Sequence, residues 1–292
     1  MSSSPPLFEM PSPFDAGGGR VLMLEPPGAE PDELRAQLLN GSYAKPFVVE
    51  DGERRCLHFD GRLIQSAMRL DAPNALDVRY TQKMMSFLLF HPRPRRIVLL
   101  GLGGGSLVKF CHYRLPATQM LVLDNNPDVI ALRDVFWVPP DGPNLQVLEA
   151  DGAAYLRQVE NGIDVLLVDA FDRRGYAPGL ASVEFLEQAK RKLAGSGVLV
   201  INLAGDEETR AGLIGMAMQV FADQVIVFPV REDDSHVLLA FKNVAFEPNW
   251  RRLHNLAKEL RSKYGLDFPA FLEKIEHSAR LGLARRKAER GK

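Results

Sequence analysis

Between residues 96 and 242, short apolar runs alternate with stretches whose apolar residues recur at helical spacing. RIVLL, MLVLD, LQVLEA and DVLLVDA are followed in turn by SLVKFCHY, PDVIALRDVF, GAAYLRQV and VEFLEQAKRKL; GVLVINL, AGLIGMAMQVF, QVIVFPV and HVLLAFK complete the series. Short β-branched runs without polar alternation suit strands covered on both faces, and helices between them carry the chain back for parallel pairing. The pattern predicts a doubly wound, mostly parallel α/β sheet, with room for antiparallel strands at its end.

Upstream the period changes. Residues 46–70 contain FVVE, RCLHF and RLIQSAM, divided by Asp51-Gly52 and Asp60-Gly61, the arrangement of hairpin strands in a small antiparallel β unit. VRYTQKMMSFLLF then places Met84, Met85, Leu88 and Leu89 at helical spacing, and HPRPRR ends that helix. Residues 1–20, rich in Ser, Pro and Gly, have no periodicity and are expected to form a disordered arm. The expected division is therefore an arm over 1–20, a small β domain over 21–75, a Rossmann-like nucleotide-binding domain over 76–248, and a helical extension over 249–292 ending in a solvated basic tail.

Composition narrows the function classes. A formal charge of −1 over 292 residues supplies no general attraction to nucleic acid or anionic lipid. Cys56 and Cys111 form no CxxC pair and have no metal-ligand spacing to histidine, which argues against a disulfide scaffold or structural zinc. The first twenty residues lack a basic start and an apolar stretch, so the expectation is a cytoplasmic enzyme with no metal, no nucleic-acid partner and no membrane partner.

The chemistry gathers at strand ends. Gly101, Gly103, Gly104 and Gly105 follow RRIVLL and precede a helix, where the chain turns sharply and its backbone must approach a ligand. Asp124 ends the next strand, 23 residues beyond Gly101, where a carboxylate accepts hydrogen bonds from ribose hydroxyls. Dinucleotide folds share that spacing, but they do not require Asp151-Gly152 at the end of the third strand, where an acid can receive the adenine amino group. Asp169 ends the fourth strand, with Asp172 three residues later, so one loop brings two carboxylates to the crevice outside the strand ends, a setting suited to a cationic amine. Against each stands the plainer role of capping the next helix or turn.

DGRLIQSA, HPRPRRIVLLGLGGGSL and DVLLVDAFD resemble the DGxxQ segment, glycine loop and DxxD catalytic loop of the spermidine synthase family, and more narrowly its subgroup with a GLGGGSL loop. The resemblance, spanning about residues 60–203, implies an S-adenosylmethionine-dependent methyltransferase type of α/β domain behind an N-terminal β unit. It implies an aminopropyltransferase using decarboxylated S-adenosylmethionine as co-substrate, with no tightly bound cofactor, a small amine such as putrescine as acceptor, and possible pairing as a homodimer. Carried over residue by residue, the resemblance implies that Gln65 contacts the nucleotide ligand, that Gly101, Gly103 and Gly105 shape its turn, that Asp124 binds ribose and Asp151 binds adenine with Gly152 in the same cofactor-binding set, that Asp169 acts on the attacking amine with Asp172 as secondary anchor, and that Tyr80 lies near the family's substrate-side tyrosine.

The acceptor half departs from that pattern. Gly104 stands where the family's GGGDGG carries an aspartate, Arg173 stands in the catalytic loop where the family has a small neutral residue, and Lys83 stands where a glutamate is expected. Three readings follow: aminopropyl transfer, methyl transfer from intact S-adenosylmethionine, and a nucleotide-binding homologue without catalysis. A nicotinamide dehydrogenase fits least, because the loop lacks GxGxxG at its register.

Overall fold

The computed structural model describes residues 6–14, 18–61, 63–172, 175–176, 178–230, 235–244 and 247–290, with the backbone alone at 171–172, 175–176, 178 and 282–290. The N-terminal part is a five-stranded antiparallel sheet in simple sequence order: β1 (Phe8–Pro11), β2 (Arg20–Met23), β3 (Phe47–Glu50), β4 (Arg54–His58) and β5 (Ile64–Arg69). Helix α1 (Pro31–Asn40) interrupts it.

The strand β1 corrects the expected arm, because residues 8–11 pair with β2 from Phe8 opposite Met23 to Pro11 opposite Arg20. The composition is that of a flexible tail, yet Met10 is buried in a cluster with Val21, Met23, Leu34, Leu38, Tyr43 and Phe47, and Phe8 packs beside it. Two apolar side chains at period two and a four-residue ladder offset the ordering entropy of so short a segment.

The second sheet follows α2 (Arg79–Met84) and a 3₁₀ turn over Met85–Leu89. Its parallel strands are β6 (Arg96–Leu100), β7 (Gln119–Asp124), β8 (Leu145–Glu149), β9 (Ile163–Val168) and β12 (Leu193–Leu203). A short hairpin, β10 (Phe171–Asp172) with β11 (Gly175–Tyr176), lies between the last two in sequence. β13 (Val225–Pro229) and β14 (His236–Phe241) add antiparallel strands. The spatial order β13-β14-β12-β9-β6-β7-β8 is the doubly wound sheet the pattern predicts.

The connecting helices are α3 (Ser106–Arg114), α4 (Pro127–Ala131), α5 (Gly152–Leu156), α6 (Val183–Lys192) and α7 (Glu207–Val220). The chain builds outward from β6 through β7 to β8, then returns to the other side of β6 as β9. That reversal opens a crevice beyond the carboxyl ends of β6 and β9, where α/β sheets of this kind bind ligands.

α8 (Trp250–Tyr264) and α9 (Phe268–Arg290) pack on one face. Leu253, Leu260, Phe268, Leu272 and Ile275 join the same core as Val165 and Leu167 of β9 and Met68 of β5, so the N-terminal sheet, the parallel sheet and the last two helices share one apolar interior. Lys109 of α3, fully buried, ties its helix to the N-terminal sheet and to the segment between α4 and β8: its Nζ donates to the Phe136 carbonyl at 2.7 Å and lies 2.8 Å from Met68 Sδ. Burial, and then the nearby Arg55 charge, push its ammonium down to about 8. No described helix is long and apolar enough to cross a membrane.

Candidate active site

The parallel ladder itself aligns the strand-end acids. Gly101 N–H donates to the Leu123 carbonyl at 2.8 Å, Asp169 N–H to the Leu100 carbonyl at 2.9 Å, and Ala150 N–H to the Asp124 carbonyl at 2.9 Å. Each bond carries the pairing one residue past a strand, so the Gly101 turn, Asp124, Asp151 and Asp169 emerge along one rim. Together they line a cavity of about 470 Å³.

The glycines differ in what they do. Gly101 has φ +96°, and a Cβ there would stand 2.1 Å from the Asp169 carbonyl oxygen, so only glycine lets β6 and β9 close at the switch point. Gly103 lines the cavity in open surroundings, its nearest neighbour to a Cβ being Ser66 Cβ at 3.8 Å. Gly105 does not reach the cavity: it starts α3 at φ +67° beneath the Val138 side chain. Gly104 faces no open space either, since a Cβ there would meet Ser66 Oγ at 2.8 Å and the Phe136 ring at 3.0 Å. The absence of a carboxylate at this position is thus matched by packing that leaves no room for one.

Asp124 is partly committed to the fold. One oxygen accepts from Leu102 N–H at 2.7 Å and the other from Asn126 N–H at 2.9 Å, so the carboxylate braces the glycine turn while facing the cavity. Burial raises its pKa, opposed by the amides of Leu102, Asn126 and Gly103. Asp151 takes the plainer role weighed for it: its Oδ1 caps α5 through Ala154 N–H at 2.6 Å. It also lines the cavity, and its second oxygen adds acceptor capacity there. At Gly152, next to it, a Cβ would stand 3.1 Å from Leu100 Cδ2, so glycine eases the approach of α5 to β6.

Asp169 is held on both sides. Asn202 Nδ2 donates to its Oδ1 at 3.0 Å and the Tyr80 hydroxyl to its Oδ2 at 3.1 Å. Burial pushes its pKa up to about 6, with the bonds from Asn202 and Tyr80 opposing. Gln65 reaches the cavity from β5 and Tyr80 from α2, so the N-terminal sheet and the linking helix supply one wall. The side chain of Asp172, like Arg173, lies outside the described residues.

Sequence reasoning missed Ser66, Thr81, Asn125 and Asn126 among the lining residues, and it missed Asn202 behind Asp169. The only signal for Asn202 was an amide near the end of the otherwise apolar run GVLVINL. The lining contains Asp124, Asp151 and Asp169 but, among the described residues, no lysine, arginine or histidine.

A Spermine/spermidine synthase domain model matches residues 78–210. A polyamine aminopropyltransferase of Chromobacterium violaceum is 34% identical over 232 residues, covering 79% of this chain and 89% of that protein. The chain belongs to the spermine/spermidine synthase family. It is a transferase that moves an aminopropyl group in polyamine biosynthesis, and the comparisons do not favour the methyltransferase reading. Among solved structures, a probable spermidine synthase from Corynebacterium glutamicum superposes with a TM-score of 0.61 at 20% identity, over 76% of this chain and 85% of that one. Human methyltransferase-like protein 13, solved with SAH, gives 0.60 at 18% identity over 64% and 93%. These likenesses establish the fold, and this aminopropyltransferase shares its α/β sheet with methyltransferases.

Proposed function

We propose that the cavity seats decarboxylated S-adenosylmethionine, and that Asp169 is the base for attack by a small aliphatic amine such as putrescine. The adenosyl end lies between the glycine turn, Asp124 and Asp151, with Gln65 on the facing wall, and the aminopropyl chain runs toward Asp169. The observation that carries this reading is the charge of the lining: three carboxylates from neighbouring strand ends and, among the described lining residues, no cationic side chain. A sulfonium bearing an ammonium chain is drawn to such a wall, as is a protonated amine. The carboxylate of the intact donor would meet no cation among those residues.

The chemistry needs little beyond orientation and one proton acceptor. An aliphatic amine with a pKa of about 10 arrives protonated and has no lone pair to donate. Asp169, ionised above about pH 6, binds that cation and accepts its proton. The freed nitrogen forms a bond to the carbon beside sulfur, the carbon–sulfur bond breaks with its electrons on sulfur, and neutral methylthioadenosine leaves. Tyr80, hydrogen-bonded to Asp169 Oδ2, orients the oxygen that meets the amine. Asp172 is the proposed secondary anchor on the same loop.

Mass spectrometry of the protein incubated with decarboxylated donor and putrescine, cadaverine, spermidine or agmatine tests the reading. A product heavier by one aminopropyl group identifies the acceptor; methylated product from intact donor alone would overturn it. The acid limb of kcat/KM is expected near pH 6, the rate falling as Asp169 protonates below it. A profile flat from pH 5 to 8 would remove Asp169 as the base.

A further inference from the structure

Asp169 owes its setting to a residue that the sequence did not single out. Asn202 lies near the end of β12, which runs parallel to β9 with Ile201 in register with Val168, so Asn202 follows at the level of Asp169. It is buried, 3% exposed, and its Nδ2 donates to Asp169 Oδ1 at 3.0 Å. A carboxylate accepts and does not donate, so this bond decides which way the amide faces. Asn202 Oδ1 is then left buried with no partner among the described residues. Val198, Leu199, Val200, Ile201 and Leu203 around it on the strand are apolar and buried. An amide among them costs the desolvation of its carbonyl, and the contact that offsets the cost is the bond to Asp169.

We propose that Asn202 is a positioning residue for aminopropyl transfer: it pins Oδ1 of Asp169 and keeps the carboxylate ionised, leaving Oδ2, beside the Tyr80 hydroxyl, to take the proton of the amine. The inference rests on Asp169 being the base. The two donors come from separate parts of the fold, Tyr80 from α2 and Asn202 from the central sheet, so the carboxylate plane is held from both ends. On the next strand, β14, Val237 pairs with Asn202 and His236 with Leu203. Along α2, Lys83 directs its Nζ to the Pro229 carbonyl at 3.3 Å. The influences on the titration of Asp169 are burial, Asn202 and Tyr80.

Replacing Asn202 by leucine removes the donor, keeps much of the volume and matches the strand's other residues. Asn202→Asp keeps the shape and puts a second acid against the first, so that the pair shares a proton. Two readouts apply: titration of the Asp169 carboxyl by carbon NMR, its signal assigned by loss in Asp169→Asn, and the pH profile of kcat/KM with decarboxylated donor and putrescine. Both are expected to move alkaline by about one pH unit in Asn202→Leu, as for loss of one hydrogen bond to a charged group. The Asn202→Asp shift is expected to be larger, and donor affinity by calorimetry is expected to be unchanged in both variants. Activity of Asn202→Leu near pH 8 should return to within a few-fold of the unaltered enzyme.

An Asp169 titration unmoved in both variants, or a uniform fall in kcat with the acid limb in place, would overturn the role of Asn202. A titration that moves while the acid limb stays put would instead remove Asp169 as the base, sinking the reading on which the inference rests.

Discussion

Asp169→Asn is expected to abolish aminopropyl transfer, by about 10²–10⁴-fold in kcat, while leaving donor binding intact and making the protein more stable above pH 6. The loss follows from chemistry: an amide neither neutralises an ammonium nor accepts its proton, whereas it preserves the shape between Asn202 and Tyr80. The gain follows from linkage. Burial pushes the Asp169 pKa up to about 6, above the value in an unfolded chain. Between roughly pH 4 and pH 6 the native state therefore binds more protons than the unfolded one, and the stability tied to this group falls as pH rises through that window. Above pH 6 the ionised carboxylate destabilises the fold, by an order of magnitude of 1–2 kcal/mol after allowance for partial exposure, and asparagine removes that cost. Thermal unfolding at pH 5 and pH 8, paired with calorimetric titration of donor, measures both effects. A variant less stable than the parent at pH 8 would contradict the partly buried, charge-opposing setting of Asp169.

Gly101→Ala is expected to collapse the site structurally, at a cost of about 3–5 kcal/mol in unfolding free energy and with loss of measurable donor binding. Two penalties coincide. Gly101 has φ +96°, where alanine is strained, and the new Cβ would stand 2.1 Å from the Asp169 carbonyl oxygen. That oxygen is backbone, and its residue is tied to Leu100 by the 2.9 Å bond that extends the β6–β9 ladder, so no flexible side chain can move aside. The ends of β6 and β9 must part, and the cavity rim opens with them. Gly103→Ala is the control: at φ +50° with Ser66 Cβ 3.8 Å away, it should cost only about 1 kcal/mol and keep the site. Denaturant unfolding of the two variants separates the cases, and equal costs would show that the close approach at Gly101 does not govern the turn.

The packing at Gly104 bears on the acceptor end in a different way. Ser66 Oγ and the Phe136 ring occupy the space a larger side chain would need. Phe136 is in turn held by its carbonyl on the buried Lys109 ammonium, so the closure belongs to the interface between the N-terminal sheet and α3. The described anionic groups facing the cavity are then confined to the strand ends.

How much of this was legible beforehand depends on the range of the interaction. The alternation of strands and helices, the hairpins of the N-terminal unit, the positive-φ glycines after RIVLL and the acids closing successive strands all follow from local rules: side-chain period, turn geometry and spacing along one chain. Those features determined the fold class and most of the candidate rim; the family came instead from the resemblance of DGRLIQSA, HPRPRRIVLLGLGGGSL and DVLLVDAFD to its motifs. The strand β1 escaped because its four residues are stabilised by burial of Met10 against Val21, Phe47 and Leu38, a cluster gathered from separate elements. Asn202 and Tyr80 meet Asp169 across 33 and 89 residues, a contact that exists only once β12 lies beside β9 and α2 packs at their ends. The division of Asp124 between bracing the glycine turn and facing the cavity, and the filling of the space at Gly104, were likewise set by tertiary structure. Sequence by itself determined which residues stand at the ends of strands, because backbone hydrogen bonding and side-chain period are local. Only the assembled sheets decided which of them share a cavity, and which neighbours set their charge, because burial and long-range packing belong to no single segment.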